Sequence, residues 1–117
     1  ANLEIFETED VLGRVARTGA RLATRLEELR ARACVGDIRQ RGLIAGIELV
    51  RDRATREPFD PRDRIGHLVC SAMRKHGIIL RPLGDTVVVM PPLSVSEAEI
   101  DAIMDALSAC IREVTGA

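Results

Sequence analysis

The chain is 117 residues long, 46% hydrophobic and 30% charged, which allows one hydrophobic core and a single domain over 1–117. A formal net charge of −1 sets up no field that would draw in nucleic acid or an anionic membrane, and no apolar run reaches the ~20 residues of a membrane-spanning helix. Its three cysteines, Cys34, Cys70 and Cys110, are odd in number and outside any CxxC spacing, which argues against zinc and a disulfide framework and for a reducing, cytoplasmic setting.

Leu3, Ile5 and Phe6 have helical spacing but no start signal before them, as in a piece of something longer. The first clear helix follows. Leu12, Val15, Gly19, Leu22, Leu26 and Leu29 form one apolar stripe, with Thr8 as cap and Glu9 and Asp10 at the positive end. Val35–Arg39 and Leu43–Val50 read as strands joined by a turn over Gln40-Arg41-Gly42, with a bulge or close backbone approach at Gly46. Arg51 to Arg62 is a charged loop. A second helix starts with Asp60 as N-cap and Pro61 at the first position. It buries Ile65, Leu68, Val69, Ala72 and Met73 and ends through Lys75 and His76 at Gly77. Ile78 to Arg81 then reads as a strand whose last extended residue is Arg81, because Pro82 disfavours the helical conformation there. Leu83-Gly84-Asp85 turns the chain into a strand from Thr86 to Met90, closed by Pro91-Pro92. A third helix opens on a Ser96/Glu99 capping box with a Val95–Ile100 staple, carries Ile100, Ile103, Met104, Leu107, Ile111 and Val114 as its apolar face, and ends at Gly116. The order α-β-β-α-β-β-α, with its hairpins, predicts an α+β fold: a mainly antiparallel sheet with helices packed on it.

The chemistry concentrates on one residue. Arg81 stands on a stiff hairpin at the mouth of the sheet, where a guanidinium can clamp a carboxylate through two parallel N–H···O bonds. The competing expectation is that Arg81 is solvated or paired with a local acid such as Asp85 or Glu48. His67 and His76 read as structural or surface histidines. Lys75 is the only lysine, and its place in a last helical turn is a poor setting for a Schiff base. No glycine-rich phosphate loop opens a helix, and no Tyr or Trp is present to stack on a cofactor ring. These residues by themselves assemble no complete active site, and a free-standing α+β binding module without catalysis stands as an alternative.

Val35-Gly36-Asp37-Ile38-Arg39-Gln40-Arg41-Gly42-Leu43-Ile44-Ala45-Gly46-Ile47-Glu48-Leu49 resembles the V-x-D-V-R-x-x-G-L-x-x-G-I-E-L segment of class III pyridoxal-phosphate aminotransferases. The Arg81-Pro82-Leu83-Gly84 turn and Met90-Pro91-Pro92-Leu93 are similar to the distal part of the same family. The pairing of Arg-Pro-Leu-Gly-Asp with Met-Pro-Pro-Leu is most similar to the biotin-pathway branch, while ornithine, acetylornithine and γ-aminobutyrate enzymes share the frame. The resemblance implies a fold-type I homodimer, with small-molecule substrates, whose large domain holds pyridoxal 5'-phosphate. That domain supplies the cofactor lysine, the aspartate facing the pyridine nitrogen and the phosphate-binding groups, and none of those motifs is in this sequence. By position the chain corresponds to the small C-terminal domain. The resemblance thus implies an inactive fragment with no catalytic, cofactor-binding or metal-ligating residue of its own. The one family residue that maps here is the arginine of the Arg-Pro turn, which binds the substrate carboxylate and falls on Arg81.

Overall fold

The computed structural model describes residues 11–116; the expected cap Thr8, its neighbours Glu9 and Asp10, and Leu3, Ile5 and Phe6 lie outside them. The described order is α1 (Val11–Leu29), β1 (Val35–Arg41), β2 (Ile44–Leu49), a 3-10 turn (Pro61–Asp63), α2 (Ile65–Arg74), β3 (Arg81–Leu83), β4 (Thr86–Val89) and α3 (Glu97–Thr115). The four strands form one antiparallel sheet in the order β1-β2-β4-β3. The α+β expectation holds.

Alternation along the strands gives the sheet one buried and one open face. The row Ile38, Ile47, Val87 and Pro82 points inward with Ala45 and Val89, and α1 and α2 cover it while α3 packs across both helices. Burial on α1 starts later than the stripe suggests: Leu22, Leu26 and Leu29 are enclosed, but Leu12 is 73% exposed. On α2, Ile65, Val69, Ala72 and Met73 are buried as expected, whereas Leu68 is 45% exposed, beside the exposed His67.

The hairpins depart from the sequence reading in detail. β1 runs through Gln40 and Arg41, so the turn is the two-residue Gly42-Leu43 with Gly42 at φ 60°. The Gln40 amide explains the extra length: its Nε2 donates to Gly19 O and Gly42 O at 2.8 Å each, tying the turn to α1. The irregular step lies between Val35 and Asp37, not at Gly46, which is paired in regular register on both sides. Asp60 does cap, but it caps the 3-10 turn, accepting from Arg62 N at 2.9 Å. The chain then kinks at Arg64 (φ 49°), and α2 starts at Ile65 without a cap side chain from its own N-cap residue. At the other end Gly77 takes φ 76°, and Ile78 N and Gly77 N bond back to Met73 O and Arg74 O. This is the expected glycine stop. The capping box of α3 is complete, with Glu99 N to Ser96 Oγ at 3.1 Å and Ser96 N to Glu99 Oε1 at 3.0 Å, and Val95 and Ile100 are both buried.

α1 and α3 are joined by charge. Arg21 holds Asp101 through Nε–Oδ1 at 2.8 Å and Nη2–Oδ2 at 3.0 Å, and Arg25 reaches Asp101, Asp105 and Glu28. The Arg21 bonds, then those of Arg25, hold the Asp101 carboxyl below its ordinary value of 3.8. A carboxylate depressed in the folded state stabilises fully above its unfolded value and loses that contribution as pH falls through the folded one. Urea unfolding at a series of pH values below about 4 should therefore show stability falling more steeply in the native chain than in Asp101→Asn. Parallel curves would remove Asp101 from the acid sensitivity of the fold.

Candidate functional site

Arg81 is the first residue of β3, not the last residue of a preceding strand. β4 ends at Val89 and runs into Met90-Pro91-Pro92, so there is no ladder for Ile78–Leu80 to join. The partner of Arg81 is Val88. Directly paired residues project to the same face. The row Arg39, Gly46, Val88 and Arg81 therefore crosses all four strands on the open side of the sheet. Beside it runs a second row, Asp37, Glu48, Thr86 and Leu83.

Arg81 is exposed and lines a depression of about 550 Å³ with Arg74, Ile79, Pro82, Val88 and Met90. Among the described residues neither Arg74 nor Arg81 forms an ion pair. The two acids that could have quenched Arg81 are placed otherwise. Glu48 lies on β2, beside Thr86 in the neighbouring row. Asp85 turns away to α2: its Oδ1 accepts the Gly66 N–H at 3.1 Å, and its backbone O accepts from Leu49 N at 2.9 Å. At the far end of the row Arg39 is occupied by Asp37 at 3.1 Å, a bond that holds the Asp37 carboxyl below the usual range. The depression therefore sets the Arg81 guanidinium, without an ion pair among the described residues, over an apolar floor, an arrangement suited to a carboxylate on an aliphatic chain.

The α2 cap is a contact that the sequence reading missed. Asp85 reads there as a turn residue, and the orphan N–H that it satisfies lies 19 positions away. Gly66 offers the only local signal, a glycine inside a helical pattern. Its role is close approach: a Cβ there would lie 2.2 Å from Gly84 O and 3.0 Å from Asp85 Cα.

His67 is exposed and lines a second cavity, of about 560 Å³, with Glu48, Arg56, Phe59, Asp85 and Thr86. His76 and Lys75 are exposed at the end of α2. Burial pushes the Cys70 and Cys110 thiols up, away from thiolate character. Among the described residues no group of three or more His, Cys, Asp and Glu side chains could hold a metal ion, and no helix is long and apolar enough to cross a membrane.

The family described as Aminotransferase class-III matches residues 1–111. Adenosylmethionine-8-amino-7-oxononanoate aminotransferase of Geobacter sulfurreducens is 47% identical over 116 residues, covering 99% of this chain and 26% of that protein. Taurine--pyruvate aminotransferase of Bilophila wadsworthia is 36% identical over 112 residues, covering 89% of this chain and 24% of that one. Among solved structures, the adenosylmethionine-8-amino-7-oxononanoate aminotransferase of Methanocaldococcus jannaschii superposes with a TM-score of 0.89 at 38% identity, covering 96% of this chain and 26% of the other. The PMP-bound aminotransferase of Vibrio fluvialis gives 0.91 at 29% identity, covering 97% and 25%. The chain spans about a quarter of the length of these relatives. With the motif segment on β1–β2 and the Arg-Pro turn on β3 both in place, the chain belongs to the class III aminotransferase family.

Proposed function

We propose that this chain is the C-terminal small domain of a pyridoxal-phosphate-dependent aminotransferase that moves an amino group from S-adenosylmethionine to 8-amino-7-oxononanoate in biotin synthesis. The observation that carries the reading is Arg81, free and exposed on the open sheet face within the family's Arg-Pro-Leu-Gly motif. The higher identity to the adenosylmethionine enzymes than to the taurine enzyme favours the biotin branch.

In this reading Arg81 holds the ketoacid carboxylate in a two-pronged bond, and the apolar floor at Val88 and Met90 takes the start of the aliphatic chain. Anchoring the far end of a long substrate limits where its ketone can lie. Pyridoxal phosphate supplies the carbanion chemistry of amino transfer when bound. The residues of this chain do not fit it by themselves: Lys75, its only lysine, is exposed at a helix end. Cofactor binding belongs in this reading to the rest of the enzyme, a cytoplasmic homodimer.

The test is substrate use by the complete enzyme. With S-adenosylmethionine as donor, 8-amino-7-oxononanoate should be aminated, and taurine, ornithine, acetylornithine or γ-aminobutyrate should support turnover poorly. Efficient transfer from one of those four donors, with none to 8-amino-7-oxononanoate, would assign the chain to another class III branch. No transfer in any combination would favour a binding module.

A further inference from the structure

We propose that Asp85 is a positioning residue for Arg81, acting through the β3–β4 turn; the inference rests on the carboxylate-anchoring reading of Arg81 above.

β3 has few hydrogen bonds to hold it in place. It has three residues, lies at the sheet edge, and pairs only with β4. Its middle residue is Pro82, which has no N–H to donate. The ladder therefore leaves the direction of Arg81 loosely determined. Beside the inward packing of Leu80 and Pro82, what fixes it is the turn, two pairs away from Arg81 through Pro82–Val87 and Leu83–Thr86. Two bonds and one close packing contact converge on it. The Asp85 carboxylate accepts the Gly66 N–H of α2 at 3.1 Å. The Asp85 carbonyl accepts Leu49 N of β2 at 2.9 Å. Gly66 sits so close to Gly84 O that no side chain fits between them. Asp85 thus joins the start of α2, the end of β2 and the hairpin at one point. The half-buried carboxylate also suits the positive end of α2. Asp85 forms no ion pair with Arg81, so any influence on the guanidinium passes through backbone position.

That route predicts a pattern that general destabilisation would not produce. In the complete enzyme, Asp85→Ala should raise KM for 8-amino-7-oxononanoate on the order of 10-fold, within the roughly 100-fold that a 1 Å misplacement can cost. The half-reaction with S-adenosylmethionine should be unchanged. Asp85→Asn keeps an oxygen for the Gly66 N–H and should return KM close to the native value. In an Arg81→Ala background, Asp85→Ala should add nothing, because the guanidinium that it positions is gone. If Asp85→Ala does not fold, Asp85→Glu, which keeps the charge but lengthens the arm, should raise KM in its place. A lowered melting temperature with an unchanged KM, or the same rise in both backgrounds, would overturn the positioning role. If Arg81→Ala itself leaves KM unchanged, the anchoring reading has failed, and the positioning role falls with it for that separate reason.

Discussion

Arg81→Ala in the complete enzyme is expected to cut kcat/KM for 8-amino-7-oxononanoate on the order of 10- to 150-fold, the equivalent of about 1.5–3 kcal/mol for a hydrogen bond to a charged group. Arg81→Lys keeps the charge but loses the fork and its fixed geometry, so its loss should be smaller. Stability should hardly change, because Arg81 is exposed and forms no ion pair among the described residues. Single-turnover kinetics with 8-amino-7-oxononanoate, with thermal unfolding as control, separates binding from folding. An intact half-reaction with a lowered melting temperature would make Arg81 a structural residue and remove the proposed carboxylate anchor.

Gly66→Ala is expected to destabilise the fold by about 3 kcal/mol, the upper end of overpacking costs. The added methyl would lie 2.2 Å from Gly84 O and 3.0 Å from Asp85 Cα. Both are backbone atoms of a turn already tied to α2 and β2, so neither can rotate aside. Gly46→Ala is the natural control. Its Cβ would meet only Thr86 Cγ2 at 3.4 Å, an ordinary contact, and stability should change by less than about 1 kcal/mol. Urea midpoints at constant slope measure both. Equal midpoints for the native and Gly66→Ala proteins would show that α2 can draw back from the hairpin.

These two glycines mark a boundary in what the chain reveals by itself. Gly46 reads from the sequence as the place of a bulge or close approach, yet it is regularly paired. Gly66, where the close approach occurs, looks like an ordinary helix residue until Gly84 is set against it. The reason is range. A cap, a glycine stop or a capping box is decided by atoms within a few residues of one another. Ser96 with Glu99, Gly77 behind α2, Gly116 behind α3 and the order of the elements are accordingly legible in the chain.

The site divides in the same way. The residue type and its local frame, an arginine before a proline at the start of a tight hairpin, are written in the sequence, and the family motif attaches a role to them. Whether that arginine is free is a tertiary question. It depends on Asp85 being drawn to the Gly66 N–H 19 residues back and on Glu48 standing on β2 in the neighbouring row. It depends as well on β4 giving out at Val89, which places Arg81 at the head of its strand instead of the tail. Exposed Leu12 and Leu68 make the same point for packing. The chain alone determined helical period, caps and turn residues, because those follow from local backbone sterics and nearby hydrogen-bond donors. Only the folded sheet decided which face stays open and which carboxylate is spent elsewhere, because both depend on which distant backbone group is left needing a partner.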